Sequence, residues 1–328
     1  MRMREDEIIA RYFAPLAGAG GLGLKDDAAL VRLPDGFDLV ITNDALVADV
    51  HFFAADPPFE IARKALRVNL SDLAAKGAVP VGFLLALMLP KGWQAQFPED
   101  WLAQFAQGLG ADSAEFGIAL LGGDTVETSG PLSLSITALG QVPAGKMVPR
   151  TGVRAGDGLY VSGTIGDAAL GLAIRLGRLG GPLPPEHSQF LTQRYLVPQP
   201  RMGLAGPLQA FARGAMDVSD GFVGDLAKML RASNVGGRLD LSAVPISEAA
   251  RAAMVLQPDL WQSALTGGDD YEVLCAIEPQ KMADFEKAAA DAGVKVARIG
   301  VATADPQVIW QNADGSLQTF SQDRYQHF

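Results

Sequence analysis

A chain of 328 residues is too long for one typical hydrophobic core, so two domains are expected. Its 48% hydrophobic residues describe a globular protein, and a net charge of −10 argues against a nucleic-acid binder that relies on phosphate electrostatics. The single cysteine, Cys275, excludes disulfides within the chain and fits a reducing, cytoplasmic compartment, while His51, His187 and His327 are too scattered for a zinc site.

The opening MRMREDEIIARYF interrupts its apolar residues with acids, unlike a signal peptide. Ile8, Ile9, Tyr12, Phe13 and Leu16 recur at helical spacing and predict a short amphipathic helix. A glycine-rich turn follows, then two strand candidates, DAALVRL (27–33) and FDLVITND (37–44), separated by the turn PDG. Residues 58–76 predict a helix stopped by Gly77. The apolar run VGFLLALML (81–89), bounded by Pro80 and Pro90, reads as a buried strand and is far short of the ~20 residues of a membrane helix. PEDWLAQFAQGLGADSAEF (98–116) reads as a helix, IALLGGDT (118–125) as a strand entering a turn, and LSLSITALGQV (132–142) as an alternating strand.

The strand pattern stops at the proline- and glycine-rich, basic stretch PAGKMVPRTGVRAG, which places a domain boundary near residue 150. The expected domains are therefore 1–149 and 150–328. The second half alternates strands (DGLYVSG, RLDLSAV, YEVLCAI, KVARIG) with helices (DAALGLAIRLG, SQFLTQRYL, FVGDLAKMLRAS, PQKMADFEKAAADAG) and closes on a hairpin, VIWQNADGSLQTF, around the turn NADG. Both halves mix helices and strands, giving an α+β or α/β class in two domains. GAGGLG at 18–23 matches G-x-G-x-x-G, but helix, glycines and then strand is the wrong order for a dinucleotide fold.

What remains is a series of acidic turns at the ends of apolar segments. They are KDDAAL (Asp26, Asp27), TNDALVADVHF (Asp44, Asp49), NLSDLAAKGA (Asp72), LLGGDTVE (Asp124), MDVSDG (Asp217, Asp220) and TGGDDYEVL (Asp269, Asp270). Taken singly, each is an ordinary turn or helix cap. Asp72 differs, because it falls inside a helical run where aspartate is unfavourable, and Asp72→Ala is expected to stabilise the metal-free fold by relieving carboxylate repulsion. Asp217 and Asp220 repel each other unless a cation lies between them, and Mg²⁺ shared with a nucleotide is one such cation.

In this order, DDAAL, TNDALVADVHF, KALRVNLSDLAAKGA, GGDT, MDVSDG and GGDDYE resemble the thiamine-monophosphate kinase family, whose superfamily includes aminoimidazole ribonucleotide synthetase. The resemblance runs nearly end to end. It implies transfer of the ATP γ-phosphate to thiamine monophosphate, giving thiamine diphosphate and ADP with several Mg²⁺ ions. It also implies a homodimer paired through the sheet of the N-terminal domain, and a sandwich-like C-terminal α/β domain.

Carried over residue by residue, the resemblance makes Asp27, Thr42, Asn43, Asp44, Asp72, Asp124, Asp217 and Asp220 metal ligands. It places Gly123, Asp124, Arg150 and Ser219 on ATP, and His51, Asp269 and Tyr325 on the thiamine substrate. No catalytic base is assigned: the acceptor is already an anionic phosphate, so alignment and charge neutralisation suffice. Three positions depart from the family pattern. Lys25 replaces a glycine, Asn43 a threonine, and Asp269 a glutamate one methylene longer. Other readings are a synthetase of the aminoimidazole ribonucleotide type and a non-catalytic Mg-ATP-binding regulator. Selenophosphate synthetase would require a reactive cysteine near the N-terminus, whereas Cys275 lies in the apolar YEVLCAI.

Overall fold

The structure is a computed structural model describing residues 3–320. The chain divides into two compact units, residues 1–73 with 78–145, and residues 74–77 with 146–328.

Unit one contains α1 (Glu5–Ile8), β1 (Phe37–Val47), α2 (Pro58–Ala75), β2 (Val79–Pro90), α3 (Trp93–Gln96), α4 (Trp101–Phe116), β3 (Ala119–Thr128) and β4 (Ser133–Pro143). Its four strands form one mixed sheet in the order β1-β4-β2-β3. Strand β4 alternates: Leu134, Ile136, Ala138 and Val142 are buried, with Ser135, Thr137, Leu139 and Gln141 on the other face. In register with it, Val40 and Leu46 of β1 are buried, whereas Leu39 and Ile41 are 40% and 60% exposed. Helix α2 covers the buried face with Ile61, Ala65, Leu66, Leu70 and Leu73, and stops at Gly77, whose φ of +70° suits glycine. Helix α4 crosses α2 closely, since a Cβ on Gly108 would stand 2.2 Å from the Phe59 carbonyl oxygen. Beside that crossing, buried Arg67 makes paired bonds to Asp112 at 2.8 and 2.9 Å.

The strand expected over 27–33 is absent. Leu30 instead donates its N–H to Gly20 at 2.8 Å, so this segment folds back on the glycine-rich turn and not onto a sheet. A Cβ at Gly20 would lie 2.5 Å from the Leu30 carbonyl oxygen, which accounts for a glycine there. The expected N-terminal helix is a single α turn, α1, continued by a wider turn through Phe13.

Unit two contains β5 (Gly158–Ser162), α5 (Asp167–Arg175), α6 (Pro185–Leu196), α7 (Ala205–Phe211), β6 (Ala212–Asp217), α8 (Phe222–Ala232), β7 (Gly236–Asp240), α9 (Glu248–Leu256), α10 (Leu260–Thr266), β8 (Val273–Ile277), α11 (Met282–Asp291), β9 (Val296–Thr303), β10 (Val308–Gln311) and β11 (Leu317–Gln318). Its seven strands order as β11-β10-β7-β9-β5-β8-β6. The central β5 and β8 are buried at every position, so they read as continuous apolar runs. The hairpin around residues 312–315 forms, closed by the Gly315 N–H on the Asn312 carbonyl. Helices α7, α9 and α10 were not legible in the sequence; α9 is capped by Ser247, which accepts the Ala250 N–H at 3.0 Å. Cys275 is buried in β8, and its thiol is pushed well up by burial, as the apolar reading of that strand requires. Among the described residues no helix is long and apolar enough to cross a membrane.

Candidate active site

In unit one, two of the acidic residues are held by the contact between β1 and α2. Thr42 Oγ1 donates to Asp72 Oδ2 at 2.5 Å, and the Asp44 N–H donates to Asn69 Oδ1 at 3.1 Å. Asn69 is oriented in turn by donating to the Ala65 carbonyl of its own helix at 3.0 Å. Asp72 therefore has a defined partner in spite of its position in a helix. Asp72→Ala is expected to destabilise the protein by about 1 kcal/mol, the value of one ordinary hydrogen bond, and not to stabilise it. Urea unfolding monitored by fluorescence would show an unchanged or higher midpoint if relief of charge repulsion dominated instead.

Asn43, one residue on, points to the other face of the sheet. Its amide donates to Ser135 Oγ and Thr137 Oγ1, each at 2.9 Å, and to the Ile136 carbonyl at 3.1 Å. By register, Ser135 pairs with Ala86 and Ala86 with Asp124, so Asp124 shares the face of Asn43, opposite that of Thr42 and Asp72. Asp124, Asp26 and Asp27 all line a cavity of about 710 Å³, together with apolar side chains including Phe13, Leu84, Leu121 and Leu139. Such a cavity offers an apolar wall and carboxylates to one ligand. Lys25 is exposed beside it in sequence.

Gly122 also lines this cavity, and a Cβ there would make ordinary contact with Leu84 Cδ2 at 3.4 Å. Gly123 is needed by the sheet itself: its φ is +153°, and a Cβ would stand 1.8 Å from the Leu85 carbonyl oxygen. His51 lies in the turn after β1, where its Nδ1 accepts the Val47 N–H at 3.0 Å. Asp49, at φ +63°, closes the same turn by accepting the Ala54 N–H at 3.1 Å.

In unit two, the turns 218–221 and 267–271 are laced together by backbone bonds. Asp269 donates its N–H to the Ser219 carbonyl at 2.9 Å, and Tyr271 donates to the Val218 carbonyl at 2.8 Å. The contact is so close that a Cβ at Gly268 would lie 2.4 Å from the Ser219 carbonyl oxygen. Both Asp269 and Tyr271 adopt the left-handed region, at φ +72° and +50°.

Residues that the sequence reading left without a role hold these turns. Buried Asp225 accepts the N–H groups of Ser219, Asp220 and Gly221 on one oxygen at 3.0, 2.9 and 3.2 Å. Lys228, one helical turn further, bonds both Asp225 and Asp220. Asp220 thus already has a cation, supplied by the chain. Asp270 is buried and accepts the Gly166 N–H at 2.7 Å and the Ala168 N–H at 3.2 Å, capping α5. Burial pushes its carboxyl well up, against the opposing pull of those N–H groups. Glu272, also buried, accepts from Ser162 and Arg201 at 2.6 Å and from Arg194 at 2.9 Å. One cue for these residues was available in the sequence: Asp225 and Lys228 place charges at i and i+3 within a helix whose other residues are largely apolar.

Asp217, at the end of β6, is 7% exposed. Arg150 is exposed, and its carbonyl oxygen faces Gly214 of β6. Tyr325 lies outside the described residues. Among those described, no three His, Cys, Asp or Glu side chains gather closely enough to hold a metal on their own. The candidate ligands Asp26, Asp27 and Asp124 along the cavity, Thr42 and Asp44 on β1 and Asp72 on α2 all present hard oxygens. That is the set Mg²⁺ takes when one or two carboxylates are completed by water and substrate phosphates.

The chain matches the family model of AIR synthase related proteins, N-terminal domain, over residues 25–142 and that of the C-terminal domain over residues 154–311. It is 45% identical over 301 residues to the thiamine-monophosphate kinase of Caulobacter vibrioides, covering 90% of this chain and 83% of that protein. The crystal structure of thiamine-monophosphate kinase from Stenotrophomonas maltophilia K279a superposes with a TM-score of 0.81 at 38% identity, over 95% of this chain and 96% of the other. A second structure, AaThiL complexed with AMPPCP and TMP, superposes with a TM-score of 0.78 at 26% identity over 100% and 99% of the two chains.

Proposed function

Since this chain belongs to the thiamine-monophosphate kinase family of the AIR synthase related proteins, we infer that it transfers the γ-phosphate of ATP to thiamine monophosphate, giving thiamine diphosphate and ADP. The observation that carries this reading is the match over nearly the whole chain to kinases of that activity, one of them a complex with an ATP analogue and TMP.

The residue roles follow as proposals. Asp27, Thr42, Asn43, Asp44, Asp72, Asp124, Asp217 and Asp220 supply oxygens to Mg²⁺, which when bound offsets the charge of donor and acceptor phosphates. The donor chemistry supports this, although the chain divides the work: Thr42 hydrogen-bonds Asp72, while Asp124 faces a cavity with Asp26 and Asp27. Gly123, Asp124, Arg150 and Ser219 are assigned to ATP, Arg150 through the planar fork that suits phosphate. His51, Asp269 and Tyr325 are assigned to thiamine monophosphate. The acceptor oxygen is already anionic, so these residues need only bind and align it, and no side chain has to take its proton.

A homodimer is the matching proposal for quaternary structure. The face of the unit-one sheet opposite α2 exposes Leu39, Ile41, Leu84 and Val126, an apolar surface suited to the same face of a second copy. Sedimentation equilibrium of the full chain at micromolar concentration is expected to give twice the chain mass. A monomer mass would refute it. A cytoplasmic location completes the reading, and recovery of the activity in an envelope fraction would count against it.

The test of function is a chromatographic assay of purified protein with ATP and thiamine monophosphate, with and without excess EDTA. Thiamine diphosphate and ADP are expected in equal amounts, and only while Mg²⁺ is free. ATP binding without either product would favour the regulator reading.

A further inference from the structure

Lys228 stands at a point in α8 where carboxylates approach its ammonium from two sides. Its Nζ lies 3.0 Å from Asp225 Oδ1 and also bonds Asp220 Oδ2. The two acids are unlike. Asp225 has a side chain that is 0% exposed, and its other oxygen is committed to the three N–H groups of the 219–221 turn. Asp220 is 35% exposed at its side chain, and Lys228 is 26% exposed. Asp225 therefore fixes the turn and keeps Lys228 beside it, whereas Asp220 is the partner with room to exchange.

We propose that Lys228 is a built-in competitor for the divalent cation at Asp220, setting the ion concentration at which that carboxylate accepts it. This inference rests on the reading of Asp220 as a Mg²⁺ ligand. An ammonium and a divalent ion cannot both lie against one carboxylate without repelling each other strongly across a few ångströms. A partly exposed lysine–carboxylate pair contributes little net energy, so the ion displaces the ammonium at moderate excess and not only at saturation. Lys228 then stays tethered to Asp225 and returns to Asp220 when the ion leaves. The three backbone bonds to Asp225 hold the turn whichever cation Asp220 takes.

The experiment measures free Mn²⁺ by electron paramagnetic resonance during titration of the full chain, comparing wild type, Lys228→Gln, Lys228→Met, Lys228→Arg and Asp220→Asn. Removing the ammonium is expected to tighten one Mn²⁺ site by about three- to tenfold in Lys228→Gln or Lys228→Met, whichever folds as judged by its melting curve. Lys228→Arg, which keeps the charge, is expected to match wild type. Asp220→Asn is expected to weaken the same site. If Asp220→Asn weakens binding while both neutral Lys228 variants match wild type or bind less tightly, the competition is refuted and Asp220 remains a ligand. If Asp220→Asn leaves the isotherm unchanged, the ligand reading of Asp220 fails and the inference falls with it. Absence of Mn²⁺ binding in every variant also overturns it.

Discussion

Replacing Glu272 by alanine is expected to lower the stability of the protein by about 3–5 kcal/mol, the cost of breaking a buried ion pair by removing one partner. Arg194, 8% exposed at its side chain, and Arg201 both direct guanidinium N–H groups at Glu272, and Ser162 donates to it from β5. Without the carboxylate Arg194 is left buried with no counter-charge from Glu272, beside an Arg201 that is 26% exposed at its side chain. The carboxylate also fills space directly over Gly163, where a Cβ would lie 2.1 Å from Glu272 Oε1. Urea unfolding gives the measurement. A midpoint within error of wild type would mean that the arginines find other partners or reach solvent. Glu272→Gln keeps the shape and accepts fewer of the bonds, so its midpoint should fall between the two.

Asp124→Ala should behave in the opposite way, with activity lost and stability kept. The side chain is exposed on β3 and lines the cavity with Asp26 and Asp27, so its carboxylate is no part of a buried core. Surface changes of this kind alter stability by no more than about 0.5 kcal/mol. A carboxylate that would hold Mg²⁺ against a transferring phosphoryl group is worth about 10²–10³ in rate by analogy with other preorganised electrostatic contacts. In the thiamine diphosphate assay the turnover of Asp124→Ala is therefore expected to fall at least a hundredfold at saturating ATP and Mg²⁺, with an unchanged melting temperature. Turnover near wild type would remove Asp124 from the site. An equal loss of melting temperature would make it a structural residue of β3.

The contrast between these two acids shows where sequence reading succeeds. Asp124 was visible because it stands alone after Gly122 and Gly123, at the end of a run of apolar residues, where a charge has no use for the core. Glu272 stands in YEVLCAI, a segment that reads as a strand, and nothing near it in the chain identifies its arginines. They come from α6 and the turn that follows it, 78 and 71 residues earlier. Lys228 was within sight of Asp220 in the chain, yet its role as counter-ion depends on α8 starting at Phe222 and turning the lysine back over the 219–221 turn.

The strands β1, β2, β4, β5 and β8, and the helices α2, α4, α8 and α11, were determined by local pattern alone. Each buries one face or its whole length, and the period of its apolar residues follows directly from that burial. The acidic turns, and through them the family, were likewise a property of the chain in order. Tertiary structure decided what those motifs do for one another, and it carried GGDT on as part of β3 where a turn was expected. It turned 27–33 from an expected strand into a segment folded on Gly20, gave Asp72 a hydroxyl partner on β1, and placed Asn43 and Asp124 on the sheet face opposite that partner. It also showed that Gly123 and Gly268 answer first to neighbouring backbone. The reason is physical. Periodicity records how each element meets its own core, whereas a hydrogen bond or an ion pair between distant segments depends on register and crossing geometry that no short stretch of sequence contains.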